Sequence, residues 1–456
     1  MLFRTTKNRS VNRLRQMGFS TRRLRGFEPL ENRTLLDAGG FGPNYTVDDD
    51  AAQHQNADFV TAAGIQLALN AAAADPGKNI IKVYPGLYSP VIVSPGNTGD
   101  QLIAVGHGAG VSNPANGNTD APLVVPTDPT EDAIIFGAPP ASVIGAVNIN
   151  ASDFRFSGFV VEGNTDGPGI YTSPTTSDVL IDNNLVQNNV FGIYFNSSGA
   201  EESIVRNNYL NNNNVPGSAS GNGIYSDQGL RNATIESNLI TNHTNAGIIL
   251  IGFGAPPNSD ITITNNALIE DASITLLQID NSEVTHNLSV NSKGSGIVVT
   301  DAQNLLIAYN DLQNGAFNGI SLTTVGVGES ANVRIEHNHI FGFGDNGVRL
   351  SFSQNNIVSY NEIENNRGSG ILVEETSSAN LLAHNQVFEN GSPLGDATDG
   401  IRILLGSVGN VIEYNRMFDN ITHDAHDDNP LGVNIWRHNQ CETENQPGLC
   451  DDHGHA

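Results

Sequence analysis

The chain has 456 residues, enough for one large domain or several ordinary ones; it is poor in charged residues (15%) and rich in Gly (48 residues). Its formal net charge is -27, and nine of its 21 basic residues fall in the first 33 positions, which leaves a body with 12 basic and 46 acidic residues. Such a body repels nucleic acid and anionic membranes and suits divalent cations or neutral partners, and no run reaches the roughly 18 apolar residues of a membrane span.

Residues 1–40 form a basic head that turns abruptly acidic and apolar at Phe27-Glu28-Pro29-Leu30-Glu31. It lacks the apolar core of an ordinary secretory signal. The stretch RRLRGFEPLENRTLLDA, residues 22–38, resembles the LEPR-XLL segment of large planctomycete surface proteins. Glu28, Leu30 and Glu31 match its core, and Leu35 and Leu36 its terminal pair. The resemblance implies a targeting segment, expected to be disordered, and sorting to the cell surface or exterior. Residues 41–58 read as a linker.

An Ala-rich amphipathic stretch then predicts a helix over about residues 60–74, ended by Asp75-Pro76-Gly77. The strand IIKVYPG follows, and this order resembles the opening of pectate-lyase-like β-helix proteins. Residues 95–145 mix short strands with Gly, Pro and Asn, and read as early coils carrying long loops.

From there one pattern recurs around an Asn: Asn184, Asn208, Asn238, Asn266, Asn287, Asn310, Asn338, Asn361, Asn385, Asn415 and Asn439, at gaps of 21 to 30 residues. The third residue before the Asn and the second after it are apolar in most copies, and Gly-Ile or Gly-Val follows eight or nine residues later. A period in the twenties with drifting length marks a solenoid with insertions in its loops. Alternating apolar residues give three short strands per copy, none able to fold alone. Parallel stacking at about 4.8 Å per rung then predicts an all-β, single-stranded, right-handed parallel β-helix of roughly 12–13 coils over residues 59–440, with the helix as its N-terminal cap. Asn suits a tight turn that requires left-handed geometry, and stacked Asn amides form a ladder. The Gly serves the other bend, where a side chain would crowd the coil. His or Tyr stands before seven of the ladder Asn, as in a ring stack.

Residues 441–456 read as a terminal cap loop with an acidic, His-containing tail. The C-x8-C spacing of Cys441 and Cys450, with Pro447 and Gly448 inside it, predicts a small disulfide loop in an oxidising compartment; a zinc site drawing on His453 and His455 is the alternative. NIWRHNQCETENQPGLC is similar to the closing segment of extracellular NosD-like β-helix proteins.

With an apolar inside, chemistry must sit on outward columns. The residue between Gly-Ile and Leu places Tyr171, Tyr194 and Tyr225 on successive rungs, a candidate row for binding sugar faces, or a stripe that merely stabilises the sheet. Further along, Glu374 is expected diagonally between Arg349 and Arg402. That set could hold a substrate carboxylate and abstract a proton, or be a surface ion-pair lattice. Asp424, Asp427 and Asp428, with His423 and His426, crowd one loop, which is either a solvated acidic loop or a set of ligands for calcium, zinc or manganese.

Three functions fit. One is a secreted or cell-surface protein, expected as a monomer, that binds extracellular polysaccharide or builds the envelope. Another is a calcium-dependent polysaccharide lyase or C5-epimerase acting on acidic glycans. The third is a NosD-like periplasmic metal-handling module, which the three Met residues and the absence of further thiols disfavour for copper. Fold alone does not separate them.

Overall fold

The structure is a computed structural model that describes residues 44–50, 54, 56–106, 126–253, 257–325, 330–392 and 398–451. The head and the tail histidines lie outside the described residues. The chain forms a right-handed parallel β-solenoid of about 14 turns, slightly more than the 12–13 coils expected. Three parallel sheets run its length, and the second and third contain 13 strands each.

One coil shows the plan. Arg334–Glu336 lies in the first sheet, His339–Phe341 in the second and Val348–Ser351 in the third. Ile335, Ile340, Val348 and Leu350 point inward and are fully buried. Each such side chain contributes about 1.5–3 kcal/mol, but only once the neighbouring coil covers it.

All eleven ladder Asn stand in one column. Each side-chain amide but that of the last, Asn439, donates to the next Asn carbonyl, for example Asn338 to Asn361 at 3.0 Å and Asn361 to Asn385 at 3.0 Å. From Asn208 onward each Asn carbonyl also accepts the backbone N–H of the Asn before it, as Asn361 does from Asn338 at 2.9 Å. The left-handed residue is not the ladder Asn but its predecessor. Asn183, Asn207, Ser237, Asn265, His286, Tyr309, His337, Tyr360, His384, Tyr414 and His438 all have φ between 53° and 62°. The aromatic members stack as expected, with ring centroids 4.8–5.1 Å apart from His286 to His438.

The Gly column also behaves as expected. A Cβ on Gly319 would lie 2.6 Å from the Gly347 carbonyl oxygen and 2.2 Å from Ile340 Cγ2. Two further ladders were not anticipated. Asn356, Asn380, Asn410 and Asn434 line the bend before the first sheet. Asn366, Asn390 and Asn420 line the bend after the second. An apolar cluster of Ile134, Val160, Leu185, Tyr209, Leu239 and Ala267 is buried on the outward side of the second sheet, so the outside is not uniformly polar.

The N-terminal helix runs Gly64–Ala74 and buries Ile65, Ala68, Leu69 and Ala72, the i, i+3, i+4, i+7 stripe of a cap. Its Gln66 amide accepts from Ile92 N at 2.8 Å and donates to Ile92 O at 3.1 Å, which satisfies the free edge of the third sheet. The strand Tyr45–Asp48 falls within the span expected as linker and pairs with Ile80–Val83. At the other end Cys441 and Cys450 form the expected disulfide, with Cα atoms 5.9 Å apart.

Candidate functional site

The outward face of the third sheet gathers most of the residues with chemistry. Its central column carries Tyr171, Tyr194 and Tyr225 in direct register, then Ile249, Thr275, Val298, Ser321, Arg349, Leu372, Arg402 and His426. Thr275 was missed in the sequence because its coil has Ser273 where its neighbours have Gly.

The three Tyr rings are spaced 5.3 Å apart and tilted by 57° and 51°. Tyr171 is buried, at 7% exposure, so it is a packing residue at the base of the row and not an open platform. Phe191 packs edge-on against both Tyr194 and Tyr225 at 5.5 Å. Both of these phenols donate to one carboxylate, Tyr194 to Asp227 Oδ1 and Tyr225 to Asp227 Oδ2 at 2.9 Å. Gln228 donates to the Tyr194 hydroxyl at 2.7 Å. Burial, and then the Asp227 carboxylate, hold both phenols well above their ordinary range, so they stay neutral donors. The half-buried edges of Tyr194 and Tyr225, with Asp227 and Gln228, form a rigid polar and aromatic ledge.

Glu374 holds Arg349 but not Arg402. Arg349 Nε donates to Glu374 Oε1 at 2.6 Å, and its Nη2 contacts the same oxygen. Leu372 stands between the two arginines in the column. The Arg402 guanidinium turns away from Glu374, donating to Asp428 Oδ2 of the following coil at 3.2 Å and to Asp399 Oδ2 of its own coil at 3.4 Å. Two carboxylates on that side outweigh one on the other, and the expected three-residue constellation is thus two separate ion-paired groups.

The acidic loop is likewise divided. Asp424 is buried and accepts from Glu442 N, Thr443 N and Asn420 Nδ2 at 3.0, 3.1 and 2.8 Å. Asp427 is buried and accepts from Trp436 Nε1 at 2.9 Å and Asn429 N at 3.0 Å. Both fasten the C-terminal cap through these bonds. Asp428 alone of the three reaches a side-chain cluster. There His423 Nδ1 and His426 Nδ1 converge on Asp399 Oδ1 at 3.3 and 3.1 Å, the same oxygen accepts the His423 backbone N–H at 3.1 Å, and His426 Nε2 faces Asp428 Oδ1 at 2.9 Å. Asp399 is fully buried. Burial pushes its carboxyl up, but the His426 bond and the charges of His426 and Arg402 bring it below the ordinary carboxylate range. The Asp399 hydrogen bond raises His426 above the usual imidazole value.

Asp399 was not singled out in the sequence. The available signal was its column: it precedes Gly400 as Asn318, Asn346 and Ser369 precede their Gly, and that column forms its own hydrogen-bonded row.

These features define a right-handed parallel β-helix protein whose polar and aromatic side chains gather on the outward face of one sheet. Residues 268–446 match the family model for the right handed beta helix region, and residues 145–318 match that for periplasmic copper-binding protein (NosD). A search of curated protein sequences returned no match. Among solved structures, DFA-IIIase from Arthrobacter chlorophenolicus A6 in complex with GF2 is similar at 14% identity and a TM-score of 0.50, over 83% of this chain and 93% of that one. The A-module of mannuronan C-5 epimerase AlgE6 from Azotobacter vinelandii is similar at 14% identity and a TM-score of 0.46, over 85% of this chain and 94% of that one. The likeness to the DFA-IIIase, at this identity, concerns the fold alone. Among the described residues no helix is long and apolar enough to cross a membrane.

Proposed function

We propose that this protein works outside the cytoplasm and binds extracellular polysaccharide along the outward face of its third sheet, as a glycan binder or an envelope component. The observation that carries the reading is the ledge of Tyr194, Tyr225, Asp227 and Gln228, whose two rings lie 5.3 Å apart on successive coils. That spacing is close to the rise of an extended sugar chain. Phenol edges, a carboxylate and an amide together suit sugar hydroxyls and C–H faces. The disulfide supports an oxidising compartment. With a net charge of -27 the protein suits a neutral glycan, or an acidic one bridged by calcium.

The test is equilibrium binding of the full chain to neutral and acidic polysaccharides, with calcium present or chelated. Tyr194→Ala with Tyr225→Ala is expected to weaken binding at least tenfold. Undiminished binding by this variant, or no binding to any glycan, overturns the reading.

The Arg349–Glu374 pair favours a second reading, a lyase or epimerase, since a guanidinium beside a carboxylate is what proton abstraction next to a sugar carboxylate requires. New unsaturated ends, or altered sugar configuration in the recovered polymer, lost in Arg349→Ala, would replace the binder reading with that one.

A further inference from the structure

The Asp399, His423 and His426 cluster lies at the C-terminal end of the third sheet, apart from the tyrosine ledge. From its geometry we propose that it is a binding site for a divalent transition cation of the zinc type, with His423 Nδ1, His426 Nδ1 and Asp399 Oδ1 as ligands.

The first argument is convergence. Three donor atoms of the types zinc prefers, two imidazole nitrogens and a carboxylate oxygen, all lie within 4.8 Å of one another. The Nδ1-to-oxygen edges are 3.3 and 3.1 Å. Tetrahedral ligation with bonds of about 2.0–2.1 Å needs edges of roughly 3.3–3.4 Å, so a cation enters with small adjustments. The imidazole planes are perpendicular, which lets both lone pairs address one point from different sides.

The second argument is proton accounting. A neutral imidazole carries one N–H. His426 has a carboxylate oxygen at each ring nitrogen, Asp399 at Nδ1 and Asp428 at Nε2. One proton satisfies only one of these contacts, and the other calls for a second positive species. When Nε2–H donates to Asp428, Nδ1 presents its lone pair beside Asp399, and a cation there satisfies both at once. A metal-bound histidine commonly has this arrangement, with its second nitrogen donating to a carboxylate. A second proton is the competitor.

The third argument is support. Asp399 is fully buried and its other oxygen is held by Arg402, which also reaches Asp428. The guanidinium thereby orients both carboxylates around the histidines. Three protein ligands leave one position for water or a ligand, and His423, with a side chain 31% exposed, gives access from solvent. The segment that matches the NosD model ends at residue 318, before any of these residues.

The test is calorimetric titration of chelator-stripped full-length protein with Zn2+. Wild type is expected to bind one equivalent at this site, with a rise in Tm. His423→Gln and His426→Gln should each weaken that binding at least tenfold, and Asp399→Asn likewise. His453→Ala with His455→Ala controls for the tail and should leave the site intact. Because Asp399→Asn alters a buried group, each variant's fold is checked by circular dichroism. Co2+ then gives an independent signature, intense visible bands of a four-coordinate ion that vanish in His426→Gln. Absence of uptake overturns the proposal, as does uptake that survives His423→Gln with His426→Gln and disappears with the tail histidines.

Discussion

His339 shows what a single residue contributes on the outside of this solenoid. Its Nδ1–H donates to Asp311 at 2.9 Å one coil below, and its Nε2 lies 3.6 Å from Glu364 one coil above. The Asp311 bond first, then Glu364, raise the imidazole to about 10 against some opposition from burial. Burial pushes the Asp311 carboxyl up, yet the His339 and Gln313 hydrogen bonds outweigh it and leave it lowered. A folded pKa above the unfolded value of about 6.5 means the stabilisation is complete below that pH and is lost as pH rises through about 10. The Asp311 side runs the other way, and its share disappears as pH falls through the depressed carboxylate value. His339→Gln is therefore expected to lower Tm most near pH 6, with the gap from wild type closing by about pH 10. A gap independent of pH would show that His339 acts only by packing. None of this was legible in the sequence, because Asp311, His339 and Glu364 are each a full coil apart and no local window joins them.

The ladders are the elements that hold one coil to the next. Asn361 is representative: its amide donates to Asn385 at 3.0 Å and to Ile335 O at 2.8 Å, while its carbonyl accepts Asn338 N and Nδ2. Asn361→Ala removes all four contacts and strands several buried polar groups. At about 1–3 kcal/mol for each group left without a partner, a loss of at least about 3 kcal/mol is expected. A thermal melt that shifts by less than a few degrees would show that water replaces the amide without cost. This ladder could be read from the sequence because the same residue type recurs at a visible period. What could not be read was the division of labour at the bend. The preceding residue takes the left-handed conformation, and His and Tyr do so in this chain because each ring is covered by the next. The caps were legible only in outline. Their helix, Trp and Cys pair stand out, but Asp424 and Asp427 looked like metal ligands since composition does not tell an acid turned toward backbone N–H groups from one turned to solvent.

For the whole molecule, the repeating contacts predict that stability is a sum of coil-to-coil interfaces and not the property of one irreplaceable centre. The repeat offers a clean way to test this. Asn361 and Asn385 occupy equivalent places 24 residues apart. Deleting residues 362–385 removes one complete coil and brings the next one into its register. Asn361 then meets Asn415, Gly347 meets Gly400, and the inward column passes from Val358 to Ile412, all pairings the native stack already uses between other coils. The shortened protein is expected to keep its β-sheet circular dichroism and a cooperative melt within several degrees of wild type. The deletion also removes Glu374 and Leu372, so Arg349 loses its partner and comes into register beside Arg402, while the tyrosine ledge is untouched. Deleting residues 362–373 instead removes about half a coil, turns the inward residues of every later strand out of register with the coil below, and is expected to abolish the fold. If both deletions unfolded the protein alike, the coils would not be interchangeable units, and the two ends would depend on each other through more than the stack between them.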